Sequence, residues 1–322
     1  MLNEQAKQEI MAAFGNKPKE KELSMLDKHN EQTKQKILEV FGLSESRCEI
    51  KNNTNSTSYT IEPNKDNKNK GKKLLIKEIK NLDIFNQYSL SFKNCSFKCE
   101  VCPTINTHTT IKFERCIFKK IVNFNFCNPK DDFSGGFICQ YTIFKKNAYF
   151  TKSKFNGNVD FLHSHFRKRA FFSESTFKQR ADFKEVIFEH NAYFDDVKFL
   201  GEVIFDRSEF FQRAHFCRTN FSKFPDFIQT IFDGSINLTN AENTELDISI
   251  DSLKKKIDKI FQKREAEGIK LLEYQIASEL RNSFRAIKSA LIRDNNMLDA
   301  HDYEVLEQYC KEIELEYRNS NQ

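Results

Sequence analysis

Residues 95–102 read CSFKCEVC, so Cys95, Cys99 and Cys102 are separated by three and then two residues. Three thiolates at such a spacing can hold an iron–sulfur cluster, which would give the chain redox or radical chemistry. The HSH stretch offers His163 and His165, two imidazoles that could share a metal ion. Asp195 and Asp196 form a carboxylate pair, the residue type general acid–base work needs. Which of these groups can act depends on the backbone that presents them.

That backbone is organised by a repeat. Phe recurs at Phe150, Phe155, Phe161, Phe166, Phe172, Phe177, Phe183, Phe188, Phe194, Phe199, Phe205, Phe210, Phe216, Phe221, Phe227 and Phe232, in steps alternating between five and six residues without a slip. Two residues before each Phe stands a small or β-branched residue, from Ala148, Ser153 and Val159 to Thr219, Pro225 and Thr230. In an extended segment, positions i−2 and i lie on one side, so each unit sends one small and one large side chain inward. A helix fails the same test, because steps of five and six turn it by about 500° and 600° and scatter the rings around the axis. Hairpins fail for want of turn residues, since the chain has only 9 Gly and 5 Pro against 33 Phe.

The pattern resembles the bacterial pentapeptide-repeat family, whose units carry a small residue at i−2 and Leu or Phe at i. The resemblance covers roughly residues 85–240 and is strongest over 147–234. It implies a mainly β fold, a right-handed quadrilateral β-helix with four units per coil, here with flanking α-helices at both ends. One extra residue in every second unit lengthens the expected coil, so that one full turn runs from Phe150 to Phe172. Phe150, Phe172, Phe194 and Phe216 then form one column and Phe155, Phe177, Phe199 and Phe221 the next, with two more columns running through Phe161 and Phe166. At about 4.8 Å per coil, some seven coils make a rod on the order of 35 Å long. Asn128, Pro129, Gly135 and Gly136 mark a loop thrown out from one corner.

Four segments follow. Residues 1–43 read as an N-terminal helical segment, 44–84 as a polar flexible linker and lead-in, 85–245 as the solenoid and 246–322 as a C-terminal helical cap and docking segment. In the last helix, with Asp299 as its expected N-cap, Tyr303, Leu306, Cys310, Ile313 and Tyr317 recur every three or four residues and form a coiled-coil-like seam for partner docking.

Within this frame the reactive groups become structural. Cys95 and Cys116 stand two before Phe97 and Phe118, the small inward position, and Cys139 falls on a Phe position. Buried thiols are expected there, with no cluster. One coil beyond His163 and His165 stand Glu185 and Ile187, so the histidines read as surface groups and no metal is expected. Asp195 and Asp196 lie on an outward, convex face without the desolvation that acid–base work needs. No Gly-rich phosphate loop or other catalytic motif appears, so no enzyme, no cofactor and no small-molecule substrate are expected.

The net charge of +5 comes from mixed signs, and over 147–234 thirteen basic residues face twelve acidic ones. That balance does not fit the acidic DNA mimicry known for some members of the family. With the aromatics spent inside the rod, nucleic acid is not expected either. Nine irregularly spaced cysteines and no secretory signal point to the cytoplasm, and no apolar run is long enough for membrane insertion. The expected function is a non-catalytic scaffold or protein–protein interaction module, with an unknown protein partner or self-association through the terminal helices. The alternative is the soluble cytoplasmic part of a membrane-associated or channel-like assembly, because the tail resembles that of longer family members that continue into membrane helices.

Overall fold

The computed structural model describes residues 20–53, 57–64, 71–105, 109–126, 135–223, 225–239, 241–243, 250–266 and 273–320. Asn128 and Pro129 of the expected corner loop lie outside them, as do residues 1–19 of the N-terminal segment.

The core is a β-solenoid of about seven turns. In one coil the four walls are Val159–Asp160, His165–Phe166, Ala170–Phe171 and Thr176–Phe177, called here the first to fourth walls. Each pairs in parallel with the strand one coil on, Val159 with Ala181, Phe166 with Phe188, Ala170 with Ala192 and Phe177 with Phe199. All four pairs keep the interval that separates Phe150 from Phe172, the coil length that the alternating steps imply. Upstream the register is looser: Phe113 pairs with Phe92 by a step shorter than the regular coil, and with Cys139 by a longer one that spans the expected loop.

All sixteen Phe of the repeat are buried. Within a column the rings lie parallel: Phe172 is 5.0 Å from Phe150 and 4.9 Å from Phe194, with planes 8° and 3° apart. Across columns they meet edge to face, as Phe161 does with Phe172 at 5.6 Å and 82°. Edge-to-face contacts bring the positive ring rim against a negative ring face, and in parallel stacks an offset lessens face-to-face repulsion.

The five-residue steps turn tightly. Their third residue has positive φ in every coil, at Lys152, His163, Glu174, Glu185, Asp196, Arg207, Arg218 and Gln229, with φ between 53° and 60°. A bond such as Ser164 N–H to Phe161 C=O at 2.9 Å closes a type II-like turn. A non-glycine residue in this region costs roughly 1–2 kcal/mol, which the surrounding ladder must offset. The six-residue steps make wider bends. At Gly201 such a bend passes so close to the coil below that an added Cβ would lie 2.3 Å from the Gln179 carbonyl oxygen.

Both rod ends are closed. Helix α1 (Glu20–Val40) buries Ile37 and Leu38 against the first coil. Phe41 just beyond it and Phe85 of the short helix α2 (Ile84–Gln87) meet Phe92 at 5.1 and 6.1 Å. The stretch expected as a flexible linker is ordered where it is described. Strands β1 (Cys48–Asn52) and β2 (Ser58–Pro63) form an antiparallel hairpin, and β2 continues the first wall in parallel with Ser89–Lys93. The solenoid therefore begins before residue 85. Its first inward large positions are Ile61 and Ile76, opposite Phe92 and Phe97, so a period built on Phe cannot see them.

At the other end stand α3 (Ile250–Ala266), α4 (Glu273–Arg293) and α5 (Met297–Ser320). Ile287, Ala290 and Leu291 of α4 join the solenoid core. Arg293 donates to the Phe232 and Gly234 carbonyls, the latter at 2.7 Å, and the Ser283 hydroxyl accepts the Gln229 N–H at 3.2 Å. An exposed last coil would be an open edge for strand addition, and these bonds occupy it. Asp299 is not the N-cap of α5. The helix begins two residues earlier, where the Asn296 side chain accepts the Asp299 N–H at 3.3 Å and donates to its carboxylate at 2.6 Å. Asn296 is therefore the N-cap, its side chain accepting the N–H of the third helical residue.

Candidate functional site

The inward small positions fall into two classes that alternate around the coil. On the first and third walls they are Ala or Val, such as Val159, Ala170, Ala181 and Ala192. After the type II-like turns most are hydroxyls. The Ser175 Oγ donates to the Phe150 carbonyl one coil below at 2.7 Å and accepts the Ser153 N–H at 3.0 Å. Thr219 and Thr230 repeat the donation to Phe194 and Phe205 at 2.7 Å. Buried turn carbonyls cannot reach water, and a side chain from the next coil satisfies them.

The thiols of Cys95 and Cys116 occupy this same structural position. Cys116 Sγ donates to the Phe92 carbonyl at 3.3 Å and Cys95 Sγ to the Ile61 carbonyl at 3.8 Å. Burial pushes the Cys95 and Cys139 thiols well above the usual thiol range, and raises Cys99 and Cys102 as well. Such thiols are poor nucleophiles and poor metal ligands. Cys139 replaces a ring in the first-wall column, and Phe137 from the preceding small position fills the space, 5.0 Å from Phe124 and 5.6 Å from Phe150.

His163 and His165 do not converge. His163 lies at a corner with Nδ1 2.8 Å from Glu185, and His165 faces Glu189 from the outer side of the second wall. Asp195 and Asp196 also diverge: Asp195 accepts the Cys217 N–H at 3.1 Å, while the Asp196 carboxylate is held below its ordinary pKa by hydrogen bonds from Arg218. Among the described residues, no three His, Cys, Asp or Glu side chains form a metal-ligand group. A depression of about 840 Å³ runs along α1, lined by polar groups such as Lys28, Glu31, Gln35 and Glu39.

The seam expected for partner docking is used inside the cap. Leu306 and Cys310 are buried against Leu253, Ile276, Leu280 and Phe284, Ile313 packs against the same cluster, and burial raises the Cys310 thiol to about 12. Tyr303 lies between this cluster and the solenoid core, 6.2 Å from Phe284, with its hydroxyl raised by burial. Tyr317 stacks on Tyr274 at 4.1 Å. An amphipathic stripe records which face is buried but not what buries it, and here the cover is α3 and α4.

One outer feature escapes the sequence argument. Tyr149, Phe171, Tyr193 and His215 point outward from the third wall and stack at 4.7, 4.8 and 4.6 Å. Asn147 and Asn191 donate to the Tyr149 and Tyr193 hydroxyls at 3.1 Å. Aromatics are thus not confined to the interior, although the faces of these rings cover one another. Their signal was the residue before Phe in NAYF, RAFF, NAYF and RAHF.

The family model for pentapeptide repeats (9 copies) matches residues 140–187, the stretch where coils become regular. No curated protein and no solved structure gives a match. With the same small-and-Phe register stacked in four walls, the chain belongs to the pentapeptide-repeat family.

Proposed function

We propose that the protein is a non-catalytic, cytoplasmic interaction rod that holds a protein partner on its outer surface. The observation that carries this reading is the filled interior. Where an enzyme of this size would keep a desolvated cleft with perturbed acids and bases, the rod stacks phenylalanines, and its charged groups stand on the outside, many of them in solvated pairs. Rigid solenoids offer long flat walls whose side chains keep fixed spacing, which suits recognition more than turnover. Where the terminal helices take part, the contact surface is the outer side of α5, with Val305 and Leu315 more than two-fifths exposed, rather than the buried seam.

Photo-crosslinking in the native host tests this. A benzophenone side chain at Lys198 on the fourth wall, or at Val305 on α5, should give discrete protein adducts from one site and few from the other. Uniform absence of adducts from all four walls and α5, together with turnover of a small molecule by the purified chain, would overturn it.

A further inference from the structure

Charges on the outside of the rod are paired from coil to coil at two corners. Between the first and second walls, His163 meets Glu185 at 2.8 Å and Glu185 meets Arg207 at 3.1 Å. Between the third and fourth walls, Lys152 meets Glu174 at 3.6 Å and Asp196 meets Arg218 at 2.6 Å. The corner between the second and third walls breaks this rule. There Lys119, Lys145 and Arg167 stack in one row and Lys120, Lys146 and Lys168 in the next, in the register of Phe118, Phe144 and Phe166. Arg169 stands beside them, one coil above Asn147. None of these seven cations has an ion-pair partner among the described residues. Successive cations in a row, on strands about 4.8 Å apart, lie well inside a Debye length of about 8 Å, so this stacking of like charge opposes folding. A surface that keeps it is suited to an anion from outside.

The same corner is also apolar in places. Ile121 and Phe211 stand there 38% and 46% exposed. One flank carries the outward Ile117, Ile143 and Ile187, and the other carries Tyr149, Phe171 and Tyr193. Between Asn147, Lys168, Arg169 and His190 opens a cleft of about 250 Å³, with Lys168 Nζ 3.3 Å from His190 Nε2.

We propose that this corner docks the rod peripherally on an anionic phospholipid bilayer, with the cleft seating a headgroup phosphate and Ile121 and Phe211 at the headgroup boundary. Basic side chains interleaved with Ile, Tyr and Phe are the composition of a lipid-interface surface. Nucleic acid fits less well. Bases need exposed ring faces, and the Tyr149, Phe171 and Tyr193 planes lie 2° apart with their faces against each other, so only edges meet solvent. No helix among the described residues is long and apolar enough to cross a membrane, so the association rests on the surface.

The test is co-sedimentation of the full chain with phosphatidylcholine vesicles, with and without about 30% phosphatidylserine. Binding is expected only to the anionic vesicles, fading as salt rises. Lys146→Glu with Lys168→Glu should weaken it about tenfold or more, at about a fivefold effect per cation. Lys198→Glu with Lys223→Glu, an equal change in net charge on other faces, should leave it within about twofold. The first pair should also unfold at a higher temperature than the second, because it relieves like-charge stacking, so lost binding is not lost folding. Equal weakening by both pairs, binding to neutral vesicles alone, or binding of a labelled oligonucleotide in place of vesicles would overturn the proposal.

Discussion

The rod and its C-terminal cap bury their apolar groups in different ways. In the rod, Phe194 meets the same residue type above and below, Phe172 and Phe216, each at 4.9 Å. In the cap, Phe284 meets Tyr303, and Leu306 meets unlike residues from α3 and α4. Among the described residues the rod's interior holds no charge, and most of its buried polar groups are small hydroxyls and thiols, several of them bonded to turn carbonyls. The cap instead encloses carboxylates. Glu307 is bonded to Arg285 at 2.8 Å and lies 2.8 Å from Lys288, and Glu314 is bonded to Arg281. Translational repetition spreads stability over identical layers, whereas the helical cap concentrates it in a few unlike contacts and ion pairs.

The largest effect expected is that of Phe194→Asp. It places a carboxylate in a dry column and should cost on the order of 5 kcal/mol or more, abolishing the β signal in circular dichroism. Lys198→Ala, on the outer side of the fourth wall, should change stability by less than about 0.5 kcal/mol. Equal effects would contradict the division between inside and outside. Leu306→Ala should cost about 2–5 kcal/mol and fall on the cap, so that helical signal melts before β signal in urea. A single coincident transition at the wild-type midpoint would show that Leu306 is not a cap core residue.

Gly201→Ala should cost about 1–3 kcal/mol through overpacking, because the new Cβ meets the Gln179 backbone, and it should lower the urea midpoint. An unchanged midpoint would mean the coils can separate at that bend. Acid should act on the cap first. Burial alone would raise the Glu307 carboxyl, but hydrogen bonds from Lys288 and Arg285 outweigh it and hold the group below its ordinary pKa. The resulting stability is present above the unfolded carboxylate value, about 4.3, and is lost as pH falls through the lower folded value. Helical signal should therefore decline below about pH 4 while the rod persists, and Glu307→Gln should flatten that decline. A small effect is also expected of Cys95→Ser with Cys99→Ser and Cys102→Ser. Because Ser164 already fills the equivalent position, the triple variant should lose less than about 1.5 kcal/mol, with no iron bound before or after. A brown, iron-bearing wild type would refute the wall assignment of these thiols.

This contrast also explains what could be read in the sequence. Phe194 announces its environment because every layer needs the same ring there, so the period survives in the letters. Where a coil departs from the pattern the letters mislead: Ile61 and Ile76 take the ring positions of the early coils, and Phe137 with Cys139 exchanges the large and small places. The small positions look uniform until the turns are known, and only then do Ser175 and Thr219 separate from Ala170 and Ala214 by the carbonyls they must satisfy. For Leu306 and Cys310 the heptad-like spacing reveals a buried face, but the partner is three-dimensional information. The basic corner is invisible in a net charge of +5, because its short runs of cations are a full coil apart in the chain and come together only after coiling.

A paired-cysteine experiment on the fourth wall asks most directly whether residues one coil apart lie on top of one another. Thr176 and Lys198 are neighbours across one coil, and Asn220 is one coil further on. Thr176→Cys with Lys198→Cys should close an intramolecular disulfide in the folded chain, since about 4.8 Å between strands falls within the Cα separation a disulfide tolerates. Thr176→Cys with Asn220→Cys, about 9.6 Å apart, should stay reduced. Equal oxidation of both pairs, or none in the first, would contradict the stacked solenoid.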